Sequence, residues 1–127
     1  MPIIGFKSGQ KLPPDQVRER VLQYASIKSV GEARLGLGDS TSRALMSAFN
    51  LLLAHIHDRQ MRDKERYRLM KYFFGVVSST ALSQAQALAL LNWMIEPNDW
   101  ALRPGAHQEA VAILNMLDEE AGQLKLL

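Results

Sequence analysis

The chain has 127 residues and a mass of 14.3 kDa; it is 47% hydrophobic and 22% charged, carries a net charge of +2 and has no cysteine. That length supports one domain with a core of its own, the composition excludes a disordered chain, and the absence of cysteine excludes disulfides and thiolate metal sites. The opening MPIIGFKSGQK lacks a basic stretch followed by an apolar run, and no apolar run reaches the roughly 18 residues of a membrane span, so a cytoplasmic protein without a membrane partner is expected.

The charge is unevenly distributed. Residues 1–57 carry seven Lys/Arg against four Asp/Glu, 58–75 carry six against three, and 76–127 carry two against six. Net charges of +3, +3 and −4 follow, an asymmetry that can orient a protein on a polyanion or arrange copies of it head to tail.

In chain order, residues 1–12 read as an extended arm, and the Pro13-Pro14 pair opens a helix running to about Ala25, because proline at the first turn gives up an N–H that has no helical partner. Val17, Val21, Leu22 and Tyr24 supply its apolar side. Gly31, Gly36 and Gly38 predict a loop to Asp39, with at most a short helical turn around Val30 to Leu35. Ser40 or Thr41 then offers an N-cap for a helix to Ile56 that is apolar nearly all round, the pattern of a buried element.

A helix break is expected between His57 and Arg62, because Asp58 and Asp63 are both candidate N-caps. The third helix buries Tyr67, Leu69, Met70, Phe73 and Phe74, sets Lys64, Arg68 and Lys71 together on the opposite side, and ends at Gly75. Ser83 caps a core helix that Pro97 stops near Glu96. A last helix follows the turn-rich Asn98 to Gly105 and ends near Ala121, with Gly122 as its cap. The segments Gln86–Met94 and Glu109–Leu117 match in residue type at nearly every position, as two arms of similar make would. The resulting expectation is an all-α fold: a compact bundle of about five helices over residues 13–127, with an extended N-terminal arm over 1–12.

No catalytic constellation is present, so no reaction, cofactor or metal is expected. His55 and His57 are two apart and diverge on a helix, and His107 is distant in sequence. Charge pattern carries the only pointer to a partner. Arg59, Arg62, Lys64, Arg66, Arg68 and Lys71 put six cations into thirteen residues, the kind of ridge that binds phosphates through counterion release. Asp63 and Glu65 can pair with some of them, which leaves a merely solvated face as the competing reading. The run Gly36–Arg43 feeds glycines and hydroxyls into a helix start and could hold an anion through Ser40 and Arg43, with Arg34 nearby, although it has no P-loop lysine. Trp93 lies in an apolar run and reads as core; Trp100, in a turn with Arg103, is the better candidate for stacking on a base.

The stretch MRDKERYRLMKYFFG followed by LSQAQALALLNWM resembles the helical module of Mu-type phage GemA regulators, and similar tails of DNA-recombination proteins. Asp63, Lys64 and Arg66 match its first helix start; Leu82, Ser83, Ala85, Gln86, Ala87, Leu90, Leu91 and Met94 match its second helix. The chain departs from that pattern at Leu88, at Asn92 and in a shorter intervening loop. The resemblance covers about a quarter of the chain and implies a helical hairpin in a DNA-processing setting. Two functional expectations result: a non-enzymatic protein of a phage, mobile-element, defence or DNA-processing system that contacts DNA or RNA backbone, or a protein-binding helical subunit. The second would stack with copies of itself or within a larger assembly, as small subunits of CRISPR effector complexes do.

Overall fold

A computed structural model of the chain describes residues 12–29, 39–96 and 99–126. Five helices in chain order, α1 (Pro14–Ser29), α2 (Asp39–Leu52), α3 (Arg59–Phe74), α4 (Gln84–Met94) and α5 (Ala106–Leu126), form a mostly helical bundle. A short 3-10 turn, Ser79–Ala81, precedes α4. Among the described residues no helix is long and apolar enough to cross a membrane. Of the expected arm only Leu12 is described: it is buried, so the arm's last residue belongs to the core. The glycine loop over 30–38 lies outside the described residues.

The helix α1 starts at the second proline, where the Pro13 carbonyl accepts from the N–H groups of Gln16 and Val17 at 3.1 and 3.0 Å. Val17, Val21 and Ala25, four apart, form its buried stripe. It runs four residues past the expected end, to Ser29.

Expected as apolar all round, α2 is one-sided instead: Leu45, Ala48, Phe49 and Leu52 are buried, while Arg43, Ser47, Asn50 and Leu51 face out. It begins at Asp39, so Ser40 and Thr41 lie within its first turn and neither is the cap. The central helix is α4, whose Ala85, Ala87, Ala89, Leu90, Trp93 and Met94 are buried on more than one side. Its alanines let α1 and α2 pack closely on it, which makes it the hub of the bundle.

The three caps expected around α3 and α4 form. Asp58 accepts from the Gln60 N–H at 3.0 Å and starts α3; Gly75, at φ 71°, ends it by donating its N–H to the Lys71 carbonyl at 2.8 Å. Ser83 and Gln86 make a reciprocal capping box, with the Gln86 N–H donating to Ser83 at 3.1 Å and the Ser83 N–H donating to Gln86 at 2.9 Å.

After α4 the chain departs from a plain turn. Strands β1 (Ile95–Glu96) and β2 (Ala101–Leu102) pair antiparallel, Ile95 opposite Leu102 and Glu96 opposite Ala101. Trp100 sits in the connection at φ 45°, a left-handed conformation uncommon for a bulky side chain. This small hairpin reverses the chain so that α5 returns over the bundle with Ala106, Ala110, Ile113 and Leu114 inward. Helix α5 passes through Gly122 to Leu126, beyond its expected stop.

Candidate nucleic-acid interface

The outward face of α3 is set by helical phase. At about 100° per residue, Gln60, Lys64, Tyr67 and Lys71 fall within a narrow stripe, with Arg68 at its edge. Leu69, Met70 and Phe73 point the other way and are buried, and Phe73 meets Trp93 edge-to-face at 4.9 Å, which fixes the roll of α3 on α4. Asp58 and Gly75 fix its two ends. The exposed stripe is therefore held on a helix braced by core packing and by both caps.

The six cations of this segment have different fates. Arg66 is 8% exposed; its Nη1 donates to Asp63 at 3.1 Å and its guanidinium lies over the Tyr67 ring at 4.7 Å from the centroid. Arg68 donates from Nη1 to both Glu65 oxygens at 2.9 and 3.0 Å and from Nη2 to Asp118 on α5 at 2.7 Å. Burial works against its charge, yet the bonds to Glu65 and Asp118 outweigh that effect and hold its pKa above the ordinary arginine value. Arg62 is half-buried, with its Nε shielded from solvent and without a hydrogen-bond partner. Arg59, Lys64 and Lys71 are exposed, and among the described residues Lys64 and Lys71 have no ion-pair or hydrogen-bond partner.

Lys64, Arg68 and Lys71 line a single groove of about 520 Å³ with Gln60, Asp63, Tyr67 and Val77. Tyr67, expected in the core, is 38% exposed, and Val77 is 66% exposed, so the groove has an apolar floor between cationic walls. Arg68 and Lys71 also border a second cleft of about 600 Å³ between α1, α3 and α5, with Asp15, Arg18, Tyr72, Leu117 and Ala121. There Arg18 Nε donates to the Tyr72 carbonyl at 2.9 Å. Burial pushes the Tyr72 phenol pKa up, and the neighbouring Arg18 charge partly offsets the shift.

The remaining candidates are dispersed. Arg34 lies outside the described residues. Ser40 and Arg43 are exposed on the first turns of α2 and do not line the α3 groove. Trp100 is 50% exposed in the hairpin turn, also outside the groove.

Arg103 requires a correction, because it is 3% exposed and committed to the core. Its Nη2 ion-pairs with Glu109, which is fully buried; its Nε donates to the Trp93 carbonyl at 2.8 Å and its Nη1 to the Pro104 carbonyl at 3.1 Å. Glu109 also accepts from Trp93 Nε1 at 3.0 Å and from the Leu12 N–H at 2.8 Å. A guanidinium so enclosed has no face left for a phosphate.

Sequence reasoning missed the inclusion of Tyr67, Val77 and Gln60 in the groove. The phase marks Tyr67, which lies one turn from each lysine, as outward, whereas residue type alone points an aromatic on a helix to the core. It also missed a ring contact between His55 and His107, edge-to-face at 4.7 Å. No group of three or more His, Asp or Glu able to hold a metal occurs among the described residues. Compared with protein-family models, with curated proteins and with solved structures, the chain shows no significant match to any of them.

Proposed function

We propose that this chain is a non-enzymatic nucleic-acid-binding protein that contacts phosphate backbone through the outward face of α3. The observation that carries the reading is the pair Lys64 and Lys71, two turns apart on one groove and each without a partner among the described residues. An ammonium already engaged by a carboxylate gains little from a phosphate, whereas an unengaged one releases the phosphate's counterion at no cost in broken ion pairs. Arg59 extends the same helix toward its start, and Arg68 adds positive potential while bound to its two carboxylates. Nothing in the groove favours readout of a base sequence. The resemblance to GemA-type modules supports a phage, mobile-element, defence or DNA-processing setting in the cytoplasm.

The test is a fluorescence-anisotropy titration with single- and double-stranded DNA and RNA at low and moderate salt, comparing the wild type with K64A/K71A. Binding at low salt that weakens in the double variant supports the proposal. No binding at low salt, or binding that the double variant leaves intact, overturns it.

A second reading, a subunit that assembles with copies of itself, is favoured by the position of the acids. Asp118, Glu119 and Glu120 are exposed on α5, and the Arg68–Asp118 bond sets them beside the cationic face of α3. Adjacent patches of opposite sign are self-complementary under a two-fold rotation. Light scattering at low and high salt separates this reading from the first, because only assembly raises the mass in the absence of nucleic acid.

A further inference from the structure

We infer that the α3 groove takes an unpaired base, so that the protein binds single-stranded nucleic acid in preference to duplex. This rests on the proposed backbone contact and names its substrate class. Tyr67 lies between Lys64 and Lys71 along the helix, three residues after one and four before the other, on the same stripe. Tyr67 is 38% exposed and its ring is braced by the Arg66 guanidinium at 4.7 Å, while Arg66, itself nearly buried, does not line the groove. The groove therefore meets the part of the ring that Arg66 leaves open. Val77 extends the apolar floor, and Gln60 supplies an exposed amide at one end, able to donate to a phosphate or sugar oxygen.

A base seated against Tyr67 leaves the phosphates on its two sides facing one lysine each. In a duplex the bases are stacked inside and only the backbone can reach these lysines, so the apolar floor stays wet. An exposed aromatic flanked by cations is the combination by which single strands are held without sequence preference, because every base has a stackable face. An acidic peptide with an apolar anchor is the competing occupant. The observations favour the nucleotide because one cation lies about a helical turn to either side of a flat ring, a spacing that offers a phosphate contact on each side of a stacked base.

The experiment uses the full chain with three fluorescently labelled probes of equal strand length: a thymidine or uridine 12-mer, a duplex 12-mer, and a single-stranded 12-mer with abasic sites in place of its bases, which matches the first probe in phosphate number. Wild type, Y67A, Y67F and K64A/K71A are compared, with circular dichroism to confirm that each is folded. Y67A is expected to bind the single strand roughly 5- to 150-fold more weakly while leaving duplex and abasic binding unchanged, and Y67F to restore the single-strand affinity. Unchanged single-strand affinity in Y67A, together with a loss in K64A/K71A, overturns base stacking and leaves the backbone contact standing. Affinity unaffected by K64A/K71A overturns the backbone contact itself. Tighter binding of a Trp-containing poly-glutamate peptide than of the single strand overturns the nucleic-acid assignment in favour of the peptide.

Discussion

Two regions of this molecule collect positive charge, and they use it in opposite ways. Around Glu109, Arg103 is enclosed and fully engaged: one carboxylate gathers a guanidinium, an indole N–H and a backbone N–H, and so ties α5, the end of α4 and the entry to α1 together. Along α3, Lys64 and Lys71 stand in solvent with no internal partner among the described residues. A cation's role thus depends less on its presence in a basic stretch than on how many of its donors the fold has already consumed. Arg66 and Arg68 lie between the extremes, with their donors partly spent on Asp63, Glu65 and Asp118.

The comparison is broken most forcefully at Glu109. Glu109→Ala leaves Arg103 charged in the core and strips Trp93 and Leu12 of their acceptor, so unfolding free energy should fall by about 3–5 kcal/mol in urea titration. A loss below about 1 kcal/mol would mean that the network is incidental to the fold. K64A/K71A is the counterpart, and it should leave the same unfolding curve unmoved within about 0.5 kcal/mol, as expected for surface positions without partners.

Smaller effects sharpen the boundary of the α3 face. Gly75→Ala forces a Cβ into the left-handed region at φ 71°, with no neighbour within 4 Å to add a steric clash. The cost should be conformational only, about 1–2 kcal/mol, and it loosens the turn that carries Lys71. Ser83→Ala removes half of the capping box of α4 and should cost about 1 kcal/mol. If Gly75→Ala were neutral in thermal unfolding, the left-handed end of α3 would have to be replaceable.

Much of this architecture was readable beforehand because it rests on local chemistry. Asp58, Gly75 and Ser83 mark helix ends through bonds within a few residues, and of the apolar side expected for α1, Val17 and Val21, about one turn apart, are fully buried while Leu22 and Tyr24 are half-buried. The Arg103–Glu109 pair was not readable, since its burial depends on a short hairpin returning α5 over Trp93, and nothing local distinguishes that arginine from an exposed one. Tyr67 was misplaced for the converse reason. Residue type suggested the core, while its phase, shared with Lys64 and Lys71, set it outside. The hairpin, the length of α5 past Gly122 and the one-sidedness of α2 are likewise decided by tertiary packing.

The smallest expected effect concerns pH. Burial lowers the His55 pKa below 6.5, the nearby His107 and His57 rings lower it further, and Glu65 acts in the opposite sense. The folded state then binds fewer protons than the unfolded state just below that pH, so this group's contribution to stability declines as pH falls through about 6.5. His55→Gln should flatten the dependence of unfolding on pH in that window. A steeper dependence in the variant would contradict the sign.

The central claim, that the unpartnered lysines of α3 carry the binding, is tested most directly by the salt dependence of single-strand affinity. The slope of log affinity against log salt should become shallower by about 1.4 in K64A/K71A, as expected for two lost phosphate contacts on a single strand. An unchanged slope would contradict the account and move the contact away from α3.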